Sequence, residues 1–203
     1  MLEELSQLER TTNEEKMESW RDWFRDSSVT VTNDFCDIDE FESRTSWSVQ
    51  NFLERDIFRE PTYSESTIEQ RAEYIKDFHE NFSAMSGYSG NLHFSDTMEP
   101  NNLGAFNPLT KRIDLNADLL RDADPRQVME TVMHESRHAF QDFAINNPEK
   151  VSVDRDTIKT WKYNFDHYIR PEFDYEAYYY QPVEADANEF ATRMYEEGKN
   201  HLA

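Results

Sequence analysis

Asp124-Pro125-Arg126-Gln127-Val128-Met129-Glu130-Thr131-Val132-Met133-His134-Glu135-Ser136-Arg137-His138-Ala139-Phe140 is the stretch on which the reading of this chain turns. Asp124 offers a side-chain acceptor suited to an N-cap, Pro125 suits the first helical position, and Gln127 completes a capping box. From there Val128, Val132, Ala139 and Phe143, with Met129, Met133 and Phe140, recur at helical spacing. Asn146-Asn147-Pro148 halts the pattern, so one long helix is expected. A spacing of four places His134 and His138 one turn apart on one face, where both imidazoles can reach a single Zn²⁺. Glu135 projects beside that ion rather than onto it, placed to accept a proton from metal-activated water.

A catalytic zinc takes a third protein ligand and keeps a fourth position open. Pro182 opens a final helix, expected from about Val183 to Glu197, and Glu184-Ala185-Asp186-Ala187-Asn188 puts a carboxylate at its start. Ala187 is small enough to allow close helix approach. Asn188 shares a face with Glu184 and is placed to hydrogen-bond a ligand histidine. His167, in a loop, is the rival third ligand, while Asp186 and Glu189 point to other faces of the final helix. Water attack on a carbonyl also needs a donor to the developing oxyanion. His167, Tyr178, Tyr179 and Tyr180 precede the glutamate helix and are the candidates. Arg137, inside the motif, is read as a partner in a helix-surface ion pair.

On His134, Glu135, His138 and Glu184 the chain resembles the gluzincin clan of zinc metallopeptidases, over roughly residues 66 to 195 in the order of elements. The resemblance implies an α+β, zincin-like core with a small antiparallel sheet, the histidine helix and the glutamate helix. It implies one Zn²⁺ on His134, His138 and Glu184, with Glu135 as general base in hydrolysis of the peptide bonds of a protein substrate. An edge strand, Leu103–Phe106 or Arg112–Leu115, would bind the extended peptide by strand addition. Asn188 departs from the aspartate of thermolysin-like enzymes, and an amide raises ligand basicity less. Metzincin-type enzymes need a glycine and a third histidine soon after the motif, where this chain has Gln141 and Ala144. Small zincin domains of this kind are similar to those of bacterial effectors, toxins and regulatory proteases. The alternative is a catalytically silent zincin-fold module, binding or inhibitory, that docks a basic protein.

The rest of the chain bounds these readings. Its 203 residues suit one domain with an appendage, and 37% hydrophobic residues suffice for a core although 31% are charged. A net charge of −21 opposes binding to nucleic acid or an anionic membrane, since neutralising phosphates requires positive charge. Cys36 is the sole cysteine, which excludes an internal disulfide and suits a small buried hydrophobe. No stretch approaches the roughly 20 apolar residues of a membrane span, and Met1–Leu5 lacks a signal-peptide pattern. The expectation is a soluble protein, cytoplasmic or delivered without a recognisable signal peptide.

Residues 1–60 read as a mostly helical N-terminal extension and 61–203 as the metallopeptidase domain. In the extension, Glu14–Phe24 is helix-compatible and Ser27–Asn33 is a loop or short strand. Ser66-Thr67-Ile68-Glu69 matches a capping box, and Ile68, Ala72, Ile75, Phe78 and Phe82 follow at helical spacing until Gly87. Asn91–Ser95, Leu103–Phe106 and Arg112–Leu115 read as short strands, the last two forming a hairpin across Asn107-Pro108-Leu109-Thr110. Trp161–Tyr180 reads as a tyrosine-rich connection.

Overall fold

The structure, a computed structural model, describes residues 37–55, 62–86, 91–122 and 124–200, with backbone alone at 40, 81–86 and 122. Cys36, the segment 14–24 and the segment 27–33 lie outside the described residues, as does the side chain of Phe82. In chain order the elements are α1 (Ile38–Leu53), α2 (Thr62–Glu65), α3 (Ile68–Ser86), β1 (Asn91–Ser95), β2 (Gly104–Asn107) and β3 (Arg112–Asn116). They are followed by α4 (Leu119–Asp122), α5 (Pro125–Asn146), α6 (Arg155–Asp166), α7 (Tyr175–Tyr180) and α8 (Pro182–Asn200). The class is α+β, mostly helical, with one small sheet.

That sheet corrects one expectation. Its strand order is β1-β3-β2, with β2 antiparallel to β3 but β1 parallel to it, so the sheet is mixed rather than antiparallel. The expected hairpin forms in the register Phe106 to Ile113, and Asn107 Oδ1 accepts from the amides of Leu109 and Thr110 at 3.0 and 3.1 Å to close the turn. Lys111 completes it at a φ of 53°, the left-handed region. Because β3 is central, Arg112–Leu115 cannot receive an added strand; β2 is an edge strand of the sheet.

The helix starts follow cap chemistry. Asp124 Oδ1 accepts from Gln127 N at 2.8 Å with Pro125 behind it, as the sequence requires, and α5 stops at Asn147. The cap of α3 is shifted by one residue from the expected Ser66. Thr67 Oγ1 accepts from Gln70 N at 3.2 Å while Gln70 Oε1 accepts from Thr67 N at 2.9 Å, a reciprocal box. Ser66 is occupied elsewhere, donating to Thr62 O at 2.7 Å. The tyrosine-rich stretch is largely helical too: Asp154 caps α6 by accepting from Asp156 N and Thr157 N, and Asp174 caps α7.

The histidine helix α5 is buried on two sides. Val128, Met129, Val132 and Met133 pack with Ile75 and Phe78 of α3, Ile113 and Leu115 of β3, and Phe190 and Met194 of α8. Phe140 and Ala144 pack on the other side with Ile158, Trp161 and Val183. Helix α1, inside the stretch read as an extension, adds Phe41, Val49 and Phe52 to the first of these clusters. It runs close on α8: a methyl at Gly198 would stand 2.7 Å from Ser46 O and from Val49 Cβ. No helix among the described residues is long and apolar enough to cross a membrane.

Candidate metal centre

Two helices converge to build the centre. His134 and His138 come from the middle of α5 and Glu184 from the first turn of α8, where Val183 and Ala187 are fully buried and hold the helix down. His134 Nε2 and His138 Nε2 are 3.0 Å apart, and the rings stand nearly perpendicular at 88°. Glu184 closes the triangle, with Oε2 3.3 Å from His134 Nε2 and Oε1 3.2 Å from His138 Nε2. These three residues could hold one metal ion.

The electrostatics favour a cation there. Glu184 is 1% exposed, and its Oε2 faces His134 Nε2 at 3.3 Å without a hydrogen bond of good geometry. A buried carboxylate oxygen so poorly satisfied costs free energy that a bound cation offsets. Burial disfavours the charge of Glu184, but the imidazoles of His134 and His138 outweigh it and hold the carboxyl far below the usual carboxylate range. For His138 burial likewise opposes the charge, and the hydrogen bond and charge of Glu184 overcome it, raising its pKa to about 9.

Glu135 lies beside the triangle, buried under the sheet. Burial pushes its carboxyl up; the two imidazoles oppose this, Glu184 adds to it, and a hydrogen bond from the Phe106 backbone opposes it. Strand β2 presses on the same carboxylate, for a methyl at Gly104 would stand 2.9 Å from Glu135 Cγ and 3.0 Å from Oε1. The edge strand β2 and the candidate base are therefore in van der Waals contact.

Around the ligands the structure differs in detail from expectation. Tyr168, not singled out in the sequence, donates to Glu184 Oε1 at 2.6 Å. Tyr178, one of the expected donors, sits edge-on to Tyr168 with centroids 6.2 Å apart, within reach of the charge of Glu184. Burial and the Glu184 charge push both hydroxyls up, so each stays a neutral donor. His167 and Tyr180 are not brought to the ligands. His167 is exposed and stacks on Tyr163 at 4.1 Å, and with Tyr180 it lines a groove over Ala177 and Pro182. Tyr179 and Tyr180 pack edge-on to one another and are exposed.

Arg137 departs from the expected surface ion pair. It is 4% exposed, bonded to Asp186 through Nε at 2.8 Å and Nη2 at 2.9 Å, and stacked against Phe140, Trp161 and Phe190. Asp186, which the sequence leaves as either solvated or a support behind the ligands, is partly exposed and reaches the ligand side through Gln141. The expected orienter Asn188 is half-buried and makes no hydrogen bond to either imidazole among the described residues. His138 Nδ1 instead meets Gln141 Oε1 at 2.9 Å. Spacing alone offered one signal for this, since Gln141 lies one turn beyond His138. Comparison with protein-family profiles, curated proteins and solved structures finds no match to this chain.

Proposed function

We propose that this chain is a zinc-dependent metallopeptidase of gluzincin type, hydrolysing peptide bonds of a protein substrate, with His134, His138 and Glu184 as ligands and Glu135 as general base. The observation that carries the reading is the donor triangle, with edges of 3.0, 3.2 and 3.3 Å around a buried carboxylate. Zinc bonds of about 2.0–2.1 Å at tetrahedral angles set donor atoms roughly 3.3 Å apart, so zinc fits with shifts of a few tenths of an ångström. Two imidazoles and one carboxylate are also the donor set of catalytic sites, which keep one position open, rather than of cysteine-rich structural sites.

Zinc, when bound, supplies Lewis acidity that polarises the scissile carbonyl and draws the pKa of water toward 7. The chain's own residues supply the rest. Glu135 takes the proton of the attacking water and returns it to the leaving amine, a role suited to a carboxyl raised by burial. Tyr168 spends its one proton on Glu184, which leaves the neutral hydroxyl of Tyr178 as the donor for the developing oxyanion. The edge strand β2 runs against Glu135, which its Phe106 backbone already bonds, so an extended peptide laid along β2 would meet the base.

Cleavage of a peptide library by zinc-loaded wild type and Glu135→Gln tests this. Glu135→Gln should keep its zinc and lose about 10²–10⁴-fold in rate. A wild type that binds zinc and cleaves nothing would support a silent binding module instead, and an active Glu135→Gln would remove Glu135 from the mechanism.

A further inference from the structure

We propose that Gln141 is the positioning residue that presents His138 to the metal, and that Asp186 and Arg137 lock Gln141 in the orientation this requires. The proposal rests on reading His134, His138 and Glu184 as a metal site. A glutamine amide can in principle lie either way round, but at Gln141 the choice is forced. Its nitrogen end faces two acceptors, Val183 O at 3.0 Å and Asp186 Oδ2 at 2.7 Å, and neither of these can donate. Its oxygen end therefore faces His138 Nδ1 at 2.9 Å, and only an Nδ1–H satisfies that contact.

With Nδ1 committed as a donor, Nε2 is the nitrogen of His138 that gives up its proton and offers a lone pair. That nitrogen is the one aimed at His134 Nε2 and Glu184 Oε1. Orientation is thus set by an amide one turn along the same helix, before any ion arrives.

The lock extends across three helices. Asp186 of α8 holds Gln141 and is itself held by Nε and Nη2 of Arg137. Arg137 is wedged between aromatic rings and lies 3.5 Å from Glu42 Oε1 of α1, whose other oxygen, Oε2, accepts from Arg193 at 2.7 Å. A carboxylate bonded directly to the imidazole would orient it and raise its basicity. Here a neutral amide stands between, so the charge of Asp186 acts on the position of His138 more than on its proton affinity.

The test is a double-mutant cycle on zinc affinity, measured by chelator competition, with imidazole proton and nitrogen NMR spectra recorded with and without zinc. Gln141→Leu should bind zinc about 10–100-fold more weakly and lose the slowly exchanging Nδ1–H signal of His138. Asp186→Asn should weaken binding in the same direction by a smaller factor. The double variant should be no weaker than Gln141→Leu alone, because Asp186 acts through Gln141; a merely structural role for each would give multiplying losses. Wild-type affinity in Gln141→Leu, multiplying losses, or a wild-type spectrum with His138 protonated at Nε2 and bare at Nδ1 overturns the proposal. If Gln141→Leu does not fold, the wild-type spectrum and Asp186→Asn still decide it. A wild type that takes up no zinc overturns the metal reading, a result distinct from zinc bound equally by wild type and Gln141→Leu.

Discussion

Replacing Gly104 with alanine tests how tightly β2 seats the proposed base. The added methyl would stand 2.9 Å from Glu135 Cγ, 3.0 Å from its Oε1 and 3.0 Å from Thr131 Cγ2. Carbon contacts relax to about 3.5–4.0 Å, so roughly 0.5–1 Å must open between β2 and α5. Gly104 does not sit at a left-handed φ, so alanine meets no backbone strain and gains about 0.4–1 kcal/mol by stiffening the unfolded chain. Overpacking costs about 1–3 kcal/mol, leaving a net loss between about 0 and 2.6 kcal/mol. Function should suffer more than stability, because a displacement of about 1 Å in a catalytic group can cost on the order of 10²-fold in rate. Zinc affinity should be unchanged, since Glu135 is not a ligand. Urea denaturation, steady-state cleavage and chelator competition read the three quantities. A Gly104→Ala protein as active as wild type, or one that loses zinc, would refute the contact between strand and base.

Other perturbations have equally definite outcomes. Tyr168→Phe removes a 2.6 Å hydrogen bond to a charged acceptor and should lower stability by about 1–2 kcal/mol in urea titrations, with slower cleavage; no change in either would remove Tyr168 from the site. Arg137→Ala strips a buried partner from Asp186 and should cost about 3–5 kcal/mol, whereas a loss below 1 kcal/mol would show the pair to be no more than a surface contact. In metal-free protein, Glu184 has a lowered pKa and stabilises above its ordinary value of 4.5, that contribution fading as pH falls further. His138 has a raised pKa and stabilises below its ordinary value of 6.5, that contribution being lost as pH rises through about 9. Denaturation midpoints should therefore peak between about pH 4.5 and 6.5 and decline toward 9, and a flat profile would contradict the pairing. Zinc must displace the His138 proton, so apparent affinity should climb about tenfold per pH unit below 9; a pH-independent affinity would exclude His138 as a ligand.

What could be read from the sequence was chemistry carried by near neighbours. Asp124 and Pro125 mark the start of α5 within a few residues, and the four-residue spacing of His134 and His138 makes their convergence a property of any helix there. Glu184 needed one further condition, a second helix packed against the first, and Ala187 marked its close face. The misses are tertiary. Tyr168 reaches Glu184 only because the chain turns back between α6 and α7, and Arg137 and Gln141 meet Asp186 across more than forty residues. A charged residue on an exposed helix face and one clamped between aromatic rings look the same in sequence. Nor does alternation within Asn91–Ser95 say which way its partner strand runs, which is why the parallel pairing of β1 went unread.

Zinc stoichiometry is the most direct measurement of the central claim. Wild type, His138→Ala and Glu184→Ala would each be dialysed against buffered zinc, and bound metal counted by elemental analysis alongside circular dichroism. One zinc per wild-type chain, lost in both folded variants, is the predicted result. Wild type without zinc, or Glu184→Ala holding it as tightly as wild type, would contradict a site built on His134, His138 and Glu184.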